Sequence, residues 1–454
     1  MSTQEPLWGW LVVASVHIAF LLWGGVIKSV GVLLPALSDM YACDVWILGW
    51  IIAAMCSANN IAAVLANVLN NLIGGRLTAV LSGVLAVSGL VLASLSSGVL
   101  QFGLSMILLT GPGFGAFGCI CKITLGIYFN ERLTLATSIA LMGQPESLIV
   151  FSMFAQFLLE TFGPRGNLLI LGALTMHLVP CAMLLRPRQV SGHRQYPRRC
   201  YSAIDSTTSM KDSPVSQEPV ALIGRLLDVN LLTKLDTWVL ILSFTLFSFV
   251  NDAWMTFMVS NAISKGFDGY VATSFSLIAG CSAIVTSFLQ GVMLSKGVVS
   301  NRLLSAVAAG MGSIALLINP VHKAFWSMSI SVVLYGITLA VLMTTILCLA
   351  IEILGRDRIA GALGWMGLVS GSFRILLGFC TGLLYDVTGD YNATFVLLGS
   401  MIGLIIPILY SDTLVSMCRE RIRPYKEKTA LYLKPNWAPV PAQKQVVRVQ
   451  PRNK

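Results

Sequence analysis

Long apolar segments, separated by short polar ones, run along almost the whole chain. A bilayer core about 30 Å thick needs ~20 mostly apolar residues for one helical crossing, and a helix pairs all of its own backbone groups inside lipid. The pattern therefore predicts an all-α polytopic membrane protein with twelve transmembrane helices. The predicted spans lie near residues 8–34, 46–70, 77–97, 101–126, 134–159, 166–185, 237–262, 271–294, 302–319, 324–351, 360–384 and 391–411.

One long polar stretch divides these spans into two groups of six. Residues 187–235 are rich in basic residues, serine and proline, and only 221–235 resembles an amphipathic helix. This composition is typical of a flexible linker. The predicted organisation is an N-terminal half (1–186), the linker, a C-terminal half (236–412) and a basic tail (413–454). In transporters built from such repeats, the substrate site lies near the bilayer midplane.

Basic residues are distributed unevenly between the two sides of the predicted bundle. The formal net charge is +10. With the N-terminus inside, the short cytoplasmic loops hold Arg76, Arg132, Lys296, Arg302, Arg356 and Arg358, and the opposite loops hold Arg165, Lys265 and Lys323. This asymmetry is the positive-inside signature, so both termini are expected in the cytoplasm. A charge placed in this way argues against nucleic acid as a partner.

Two opposite charges lie deep in the predicted C-terminal half. A charge at the bilayer centre costs about 2.5–3.5 kcal/mol on insertion scales, so such residues normally face a cavity or a partner. For Arg374 in the eleventh span, the alternatives are binding of a substrate carboxylate and a structural ion pair. Asp252 in the seventh span is a candidate counter-charge for Arg374, proton carrier or ligand for a substrate cation. Asn251, next to it, is a candidate cavity-lining residue.

Three ionisable side chains in the N-terminal half are further candidates. Glu146 follows Pro145, which frees a carbonyl and bends the helix. It is therefore a candidate protonation or cation site, with pairing to Lys122 as the alternative. Lys122 lies near enough to the end of the fourth span to snorkel to the interface. His17 is expected to pack by hydrogen bonding, with proton transfer as its alternative.

The sequence contains no catalytic or nucleotide-binding constellation. The ten cysteines form no CxxC pair and lie mostly inside spans, as packing residues do. The glycine-rich stretch at 109–118 lies inside a span and lacks the lysine-serine or lysine-threonine ending of a phosphate loop. It is expected to let helices approach closely. An enzyme is not expected, and neither is a cofactor or a metal.

Several motifs point to a known family. EPLWGW (5–10) opens the first span, and Lys28-Ser29 lies late in it. YFNERLTLATSIALMGQP (128–145) leads into the fifth span, and YDVTGDYNATF (385–395) precedes the twelfth. These motifs resemble the monocarboxylate transporter family of the major facilitators. The resemblance implies a twelve-helix major facilitator fold and a Lys28 that contacts incoming carboxylate, whereas position alone suggests a snorkelling lysine.

The eighth span departs from the family pattern. Proton-coupled members carry an aspartate and an arginine four residues apart there, and this sequence has Ala283 and Ser287 at those positions. Proton coupling through the family's usual residues is therefore not expected. The resemblance is to a divergent member, and such members carry other small polar metabolites, including amino acids.

These observations predict a plasma-membrane transporter that works by alternating access. Its substrate is expected to be a small organic anion or zwitterion, with the carboxylate on Arg374 and Lys28 and any cationic end on Asp252 or Glu146. The transport mode stays open between symport, exchange and facilitated diffusion. The expected partners are the substrate and the lipid bilayer, with a single-span accessory subunit as an open alternative. The alternative function is a transport-inactive relative that acts as a membrane scaffold or sensor. Charges that face an open cavity favour transport, and pairing that closes them off favours the inert alternative.

Overall fold

The computed structural model describes residues 7–129, 133–185, 229–295, 299–354 and 359–411. Most of the predicted linker and the predicted basic tail lie outside these residues. Every regular element within the described residues is a helix, which confirms the predicted fold class.

The described helices of the N-terminal half form six spans. The first three spans are Leu7–Tyr41, Val45–Ile73 and Gly75–Ser94. The fourth span consists of helix Val99–Ser105, the π-helical turn Met106–Thr110 and helix Gly111–Tyr128. The fifth and sixth spans consist of Leu133–Leu141, Gly143–Thr175 and Leu178–Leu184.

The described helices of the C-terminal half form the other six spans. A 3₁₀ turn, Val229–Thr233, comes just before them. The spans are Leu235–Ser264, Gly269–Ser295, Asn301–Leu317 with the 3₁₀ turn Asn319–Val321, Phe325–Leu354, Ile359–Thr388, and Asn392–Gly403 with Ile405–Leu409.

A kink separates the fifth span from the sixth. The described residues contain 11 helical segments that are long and apolar enough to cross a bilayer, and one of them, Ile139–Leu184, has 46 residues. Such a helix would measure about 69 Å, more than twice the thickness of the bilayer core. Gly163 breaks it with φ 68° and ψ −178°, and Pro164 follows. Only glycine adopts this conformation readily, so the segment turns back and supplies two of the twelve predicted spans.

An even number of spans places both ends of the bundle on one side. We call the side on which the first span begins and the twelfth ends the termini side, and the opposite side the far side. Large apolar side chains on the outside of the bundle are exposed, among them Leu100, Phe288 and Leu376. A soluble monomer rarely exposes so much apolar surface, and lipid covers it in a multi-pass membrane protein.

Glycines in the fourth span let its backbone touch the second span. A Cβ added at Gly115 would overlap the backbone carbonyl oxygen of Asn59, and a Cβ at Gly111 would overlap that of Met55. Gly118, one turn further on, has open space at its Cβ position. The close approach predicted from the glycine-rich stretch is therefore confirmed, and it depends on particular glycines.

The two halves contact each other along three pairs of spans. In the first and seventh spans, a Cβ at Gly31 would lie 2.7 Å from the carbonyl oxygen of Thr256. In the second and eleventh spans, the Ser57 hydroxyl donates to the backbone carbonyl of Gly371. In the fifth and eighth spans, the Tyr270 hydroxyl donates to Glu160 over 2.9 Å. These contacts hold the halves together through the middle and far side of the bundle.

The glycine contacts predict a difference between two neighbouring substitutions in one helix. Gly115→Ala should destabilise the protein by about 1–3 kcal/mol, because the backbone of Asn59 must move to admit a methyl group. Gly118→Ala, the matched control, should be tolerated. Melting temperature and surface abundance of the two variants measure this. Equal loss in both variants would show that the close approach at Gly115 is not what the helix pair requires.

Candidate functional site

A buried ion pair joins the seventh and eleventh spans near the middle of the bundle. Nη1 of Arg374 lies 2.7 Å from Oδ2 of Asp252, and the two side chains are only 9% and 13% exposed. Arg374 lies halfway along the 30-residue helix Ile359–Thr388. The pair is therefore at midplane depth, where an unpaired charge is most costly. Asp252 is therefore the counter-charge of Arg374 in this structure, which was one of the three roles considered for it.

The ion pair leaves part of the guanidinium without a hydrogen bond. The Asn251 side-chain amide donates to Oδ1 of Asp252 over 3.2 Å, so both carboxylate oxygens have a partner. Nη1 of Arg374 also makes a long contact, 3.5 Å, with the backbone carbonyl of Cys56 in the second span. Nε of Arg374 is buried and has no hydrogen-bond partner among the described residues. A buried donor without a partner is costly, and Nε of Arg374 can donate to an added acceptor.

A narrow cavity lies beside the ion pair at the junction of three spans. Its walls include Gly49 and Cys56 of the second span and Phe257 of the seventh, besides the two charged residues. The free space holds roughly one water molecule and is too small for an organic substrate. Because the second span belongs to the N-terminal half, the pair faces the junction between the halves, and the site is closed in this conformation.

Lys28 is completely buried between the first and seventh spans. Its side chain is 0% exposed, and Nζ donates to the backbone carbonyl of Met255 over 3.3 Å. The ammonium also lies 5.9 Å from the ring centroid of Trp254, and that ring stacks on Tyr335 at 4.6 Å. The snorkelling that position alone suggested is therefore wrong, because the opposite half covers Lys28. The lysine reaches across the junction of the halves instead.

Glu146 pairs with a histidine of the first span. Nε2 of His17 lies 2.6 Å from an oxygen of Glu146, and the side chains are 27% and 39% exposed. Nδ1 of His17 lies 2.9 Å from the carbonyl oxygen of Ile139 in the fifth span. The alternative pairing of Glu146 with Lys122 is thus replaced by a pairing with His17. His17 does form hydrogen bonds as expected, but with an acid as one partner.

Lys122 is exposed and lies over an aromatic ring of the first span. Its Nζ lies 5.6 Å from the ring centroid of Phe20. On an α-helix, Lys122 shares a face with Gly115 and Gly118, and Gly115 contacts the second span. Lys122 therefore points between the first and second spans rather than towards lipid. Protein surrounds Lys122 on most sides, yet its side chain keeps accessible surface, so space remains inside the N-terminal half, towards the termini side.

The eighth span contributes no charge where the family pattern has two. Ala283 is buried, and the Ser287 hydroxyl donates to the carbonyl of Ala283 over 2.9 Å within the helix. Near the end of the tenth span, Glu352 accepts a hydrogen bond of 3.2 Å from Asn301. Arg356 and Arg358, the basic residues of the loop that follows this span, lie outside the described residues.

A family model described as the Major Facilitator Superfamily matches residues 12–378 of this chain. The chain therefore belongs to the Major Facilitator Superfamily. Monocarboxylate transporter 11 of Homo sapiens is 27% identical over 402 residues, which are 87% of this chain and 81% of that protein. Monocarboxylate transporter 2 of Rattus norvegicus is 26% identical over 432 residues, 93% of this chain and 88% of that protein. The resemblance to divergent monocarboxylate transporters is confirmed, and these relatives are transporters, not enzymes.

A solved structure shares the fold at low sequence identity. It is described as the crystal structure of a POT family transporter in complex with a thioalcohol conjugated peptide. The TM-score is 0.67 at 14% identity, and the match covers 88% of this chain and 96% of that chain. This similarity shows the fold alone.

The ion pair predicts how its partners depend on each other. Asp252→Asn leaves the buried Arg374 without its counter-charge, and breaking a buried pair in this way costs ~3–5 kcal/mol. We expect a lower melting temperature and lower surface abundance. The double neutral variant Asp252→Asn with Arg374→Gln should recover most of both. Asp236→Asn, which changes an acid in the first turn of the same helix, is the control. Unchanged stability in Asp252→Asn would contradict the pairing.

Proposed function

We propose that this protein is a secondary transporter of a small organic anion or zwitterion across the plasma membrane, and that it works by alternating access. The observation that carries the proposal is the Arg374–Asp252 pair at the junction of the halves, with an unfilled donor on the arginine. A guanidinium binds carboxylate through two parallel hydrogen bonds, and Nε is one of the donors in that arrangement. A substrate carboxylate supplies the missing acceptor.

The proposed site uses three charges. Arg374 takes the substrate carboxylate through Nε, while Asp252 keeps the arginine charge balanced when the site is empty. If the substrate carries an amine, Asp252 becomes its partner, and Asn251 orients the carboxylate. Lys28 lies across the junction on the first span, where its ammonium now holds a carbonyl of the seventh span. A substrate anion between the halves would compete for that ammonium and loosen the contact.

Access would alternate around this junction. The contacts of the first span with the seventh and of the fifth with the eighth close the far side, and the excess of basic residues in the loops supports a cytoplasmic position for the termini side. Exposed Lys122 lies on the route from the termini side and would attract an entering anion. When the halves rock apart on the far side, the Lys28 contact breaks and the site opens outward. The single-span accessory subunit stays a hypothesis.

One observation favours the alternative, a transport-inactive scaffold or sensor. The charges at the midplane are already paired, and a pair that closes off a site is what an inert relative would keep. The unfilled Nε of Arg374 counts against a fully closed pair. The two functions differ in one measurable respect: the inert protein has no uptake to lose when Arg374 changes.

Arg374→Lys separates the two functions. Lysine keeps the positive charge beside Asp252, so folding should be preserved, but it loses the bidentate geometry for a carboxylate. Losing one charge-assisted hydrogen bond costs ~1.5–3 kcal/mol, so uptake per surface molecule should fall about tenfold or more. The measurement is uptake of labelled lactate, pyruvate and a panel of amino acids into cells that express each variant, beside surface abundance.

Arg165→Lys is the matched control, because Arg165 donates to the backbone carbonyl of Ser96 on the far side and has no proposed role in binding. It should transport normally. Full uptake in Arg374→Lys at normal abundance would eliminate the arginine from the site. Uptake of no panel member by the wild type, at normal abundance, would favour the inert alternative.

A further inference from the structure

The contact between His17 and Glu146 fixes a proton count. Nδ1 of His17 lies 2.9 Å from the carbonyl oxygen of Ile139. A carbonyl oxygen only accepts hydrogen bonds, so Nδ1 must carry a hydrogen. In neutral imidazole the other nitrogen, Nε2, is then an acceptor. That acceptor lies 2.6 Å from an oxygen of Glu146.

Two acceptors at this distance repel each other unless a proton lies between them. The contact therefore holds one proton, either as imidazolium with carboxylate or as imidazole with carboxylic acid. Both forms are neutral overall, which suits a site within the spans. Loss of the proton leaves a net charge of −1 and two facing lone pairs, which the low-dielectric interior penalises.

We propose that His17 and Glu146 form a single-proton binding site that latches the fifth span to the first. The proton enters from water, since both side chains are partly exposed, and leaves to water when the latch opens. Its release breaks the Nε2–oxygen contact and transfers no other group. This site lies apart from the Arg374–Asp252 pair and in the other half of the protein.

The latch lies at an interruption in the helix of the fifth span. One residue, Met142, separates helix Leu133–Leu141 from helix Gly143–Thr175, and Pro145 supplies no backbone N–H. A Cβ at Gly143 would overlap the backbone carbonyl of His17, so the two backbones touch at the break. The histidine thus bonds both sides of the break, through Ile139 before it and Glu146 after it. Opening the latch frees this joint.

Neighbouring ionisable groups are few among the described residues. On the first and fifth spans and on the spans that contact them, they include Lys28 of the first, Cys56 of the second, Cys119, Cys121 and Lys122 of the fourth, Cys181 of the sixth, Asp252 of the seventh and Cys281 of the eighth. Asp252 is occupied by Arg374. Of the two lysines, Lys28 is held by the backbone carbonyl of Met255, and Lys122 lies over the ring of Phe20.

The proton count gives the sign of a pH effect on stability. The folded contact needs its proton to exist, so a buffer alkaline enough to remove that proton breaks the contact and removes its stabilising contribution. Two far-side groups act in the opposite direction. Burial and the charge of Lys265 lower the pKa of His322, and burial lowers the pKa of Lys265 to about 8. His322 and Lys265 are unchanged in every variant of the test, so their effect cancels when variants are compared with the wild type.

The test is the melting temperature of the purified full-length protein in lipid nanodiscs between pH 6 and pH 9. Glu146→Gln is the informative variant, because its amide donates to Nε2 of neutral imidazole and holds the contact without a titratable proton. As pH rises, the wild-type melting temperature should fall relative to Glu146→Gln by at least ~2 °C. His177→Gln is the control, because His177 is exposed and its Nδ1 contacts the carbonyl oxygen of Leu174 in the preceding turn, and this variant should follow the wild type.

His17→Gln serves if Glu146→Gln does not fold, and it too should lose the pH response relative to the wild type. The proposal is overturned if Glu146→Gln or His17→Gln retains the wild-type profile, or if the wild type shows no fall relative to them. The meaning of the latch for transport rests on the proposed function, but this measurement uses no substrate. Its failure is therefore distinguishable from failure of the uptake test.

Discussion

A charge in the interior of a bilayer must find its partner inside the protein, and this constraint organises the whole molecule. Arg374 and Asp252 form an ion pair at the midplane. Lys28 donates a hydrogen bond to a backbone carbonyl of the opposite half, and Glu146 contacts His17. Each of these contacts joins two different spans. The same interactions that make the charges tolerable in lipid therefore also fix how the helices sit against each other.

The two pairs differ in what would release them. Arg374 retains a donor without a partner, so an anion between the halves can complete its coordination. The proposed latch of His17 and Glu146 would open on loss of its proton instead, and both residues belong to the N-terminal half. The eighth span, which carries the charged pair in proton-coupled monocarboxylate transporters, is neutral here. Substrate and proton thus have separate proposed sites, in different halves of the bundle.

Much of the fold follows from the sequence, because lipid imposes the length and composition of each span independently of its neighbours. The same reasoning located the charges by depth. It did not pair Glu146 with His17, because that pairing depends on the rotation of two helices and on the break near Gly143, and a hydropathy pattern specifies neither. It also left Lys28 between two alternatives, because only the close packing of the first and seventh spans shows that Lys28 is covered.

The central claim is that Arg374 binds a carboxylate at the junction of the halves. Thermal stabilisation of the purified protein by a panel of small carboxylates and amino acids tests it directly. A ligand present at a hundred times its Kd stabilises the folded protein by ~2.7 kcal/mol. We predict that at least one carboxylate raises the melting temperature of the wild type and that Arg374→Lys abolishes the rise. An equal rise in Arg374→Lys, or none with any carboxylate in the wild type, would contradict the account.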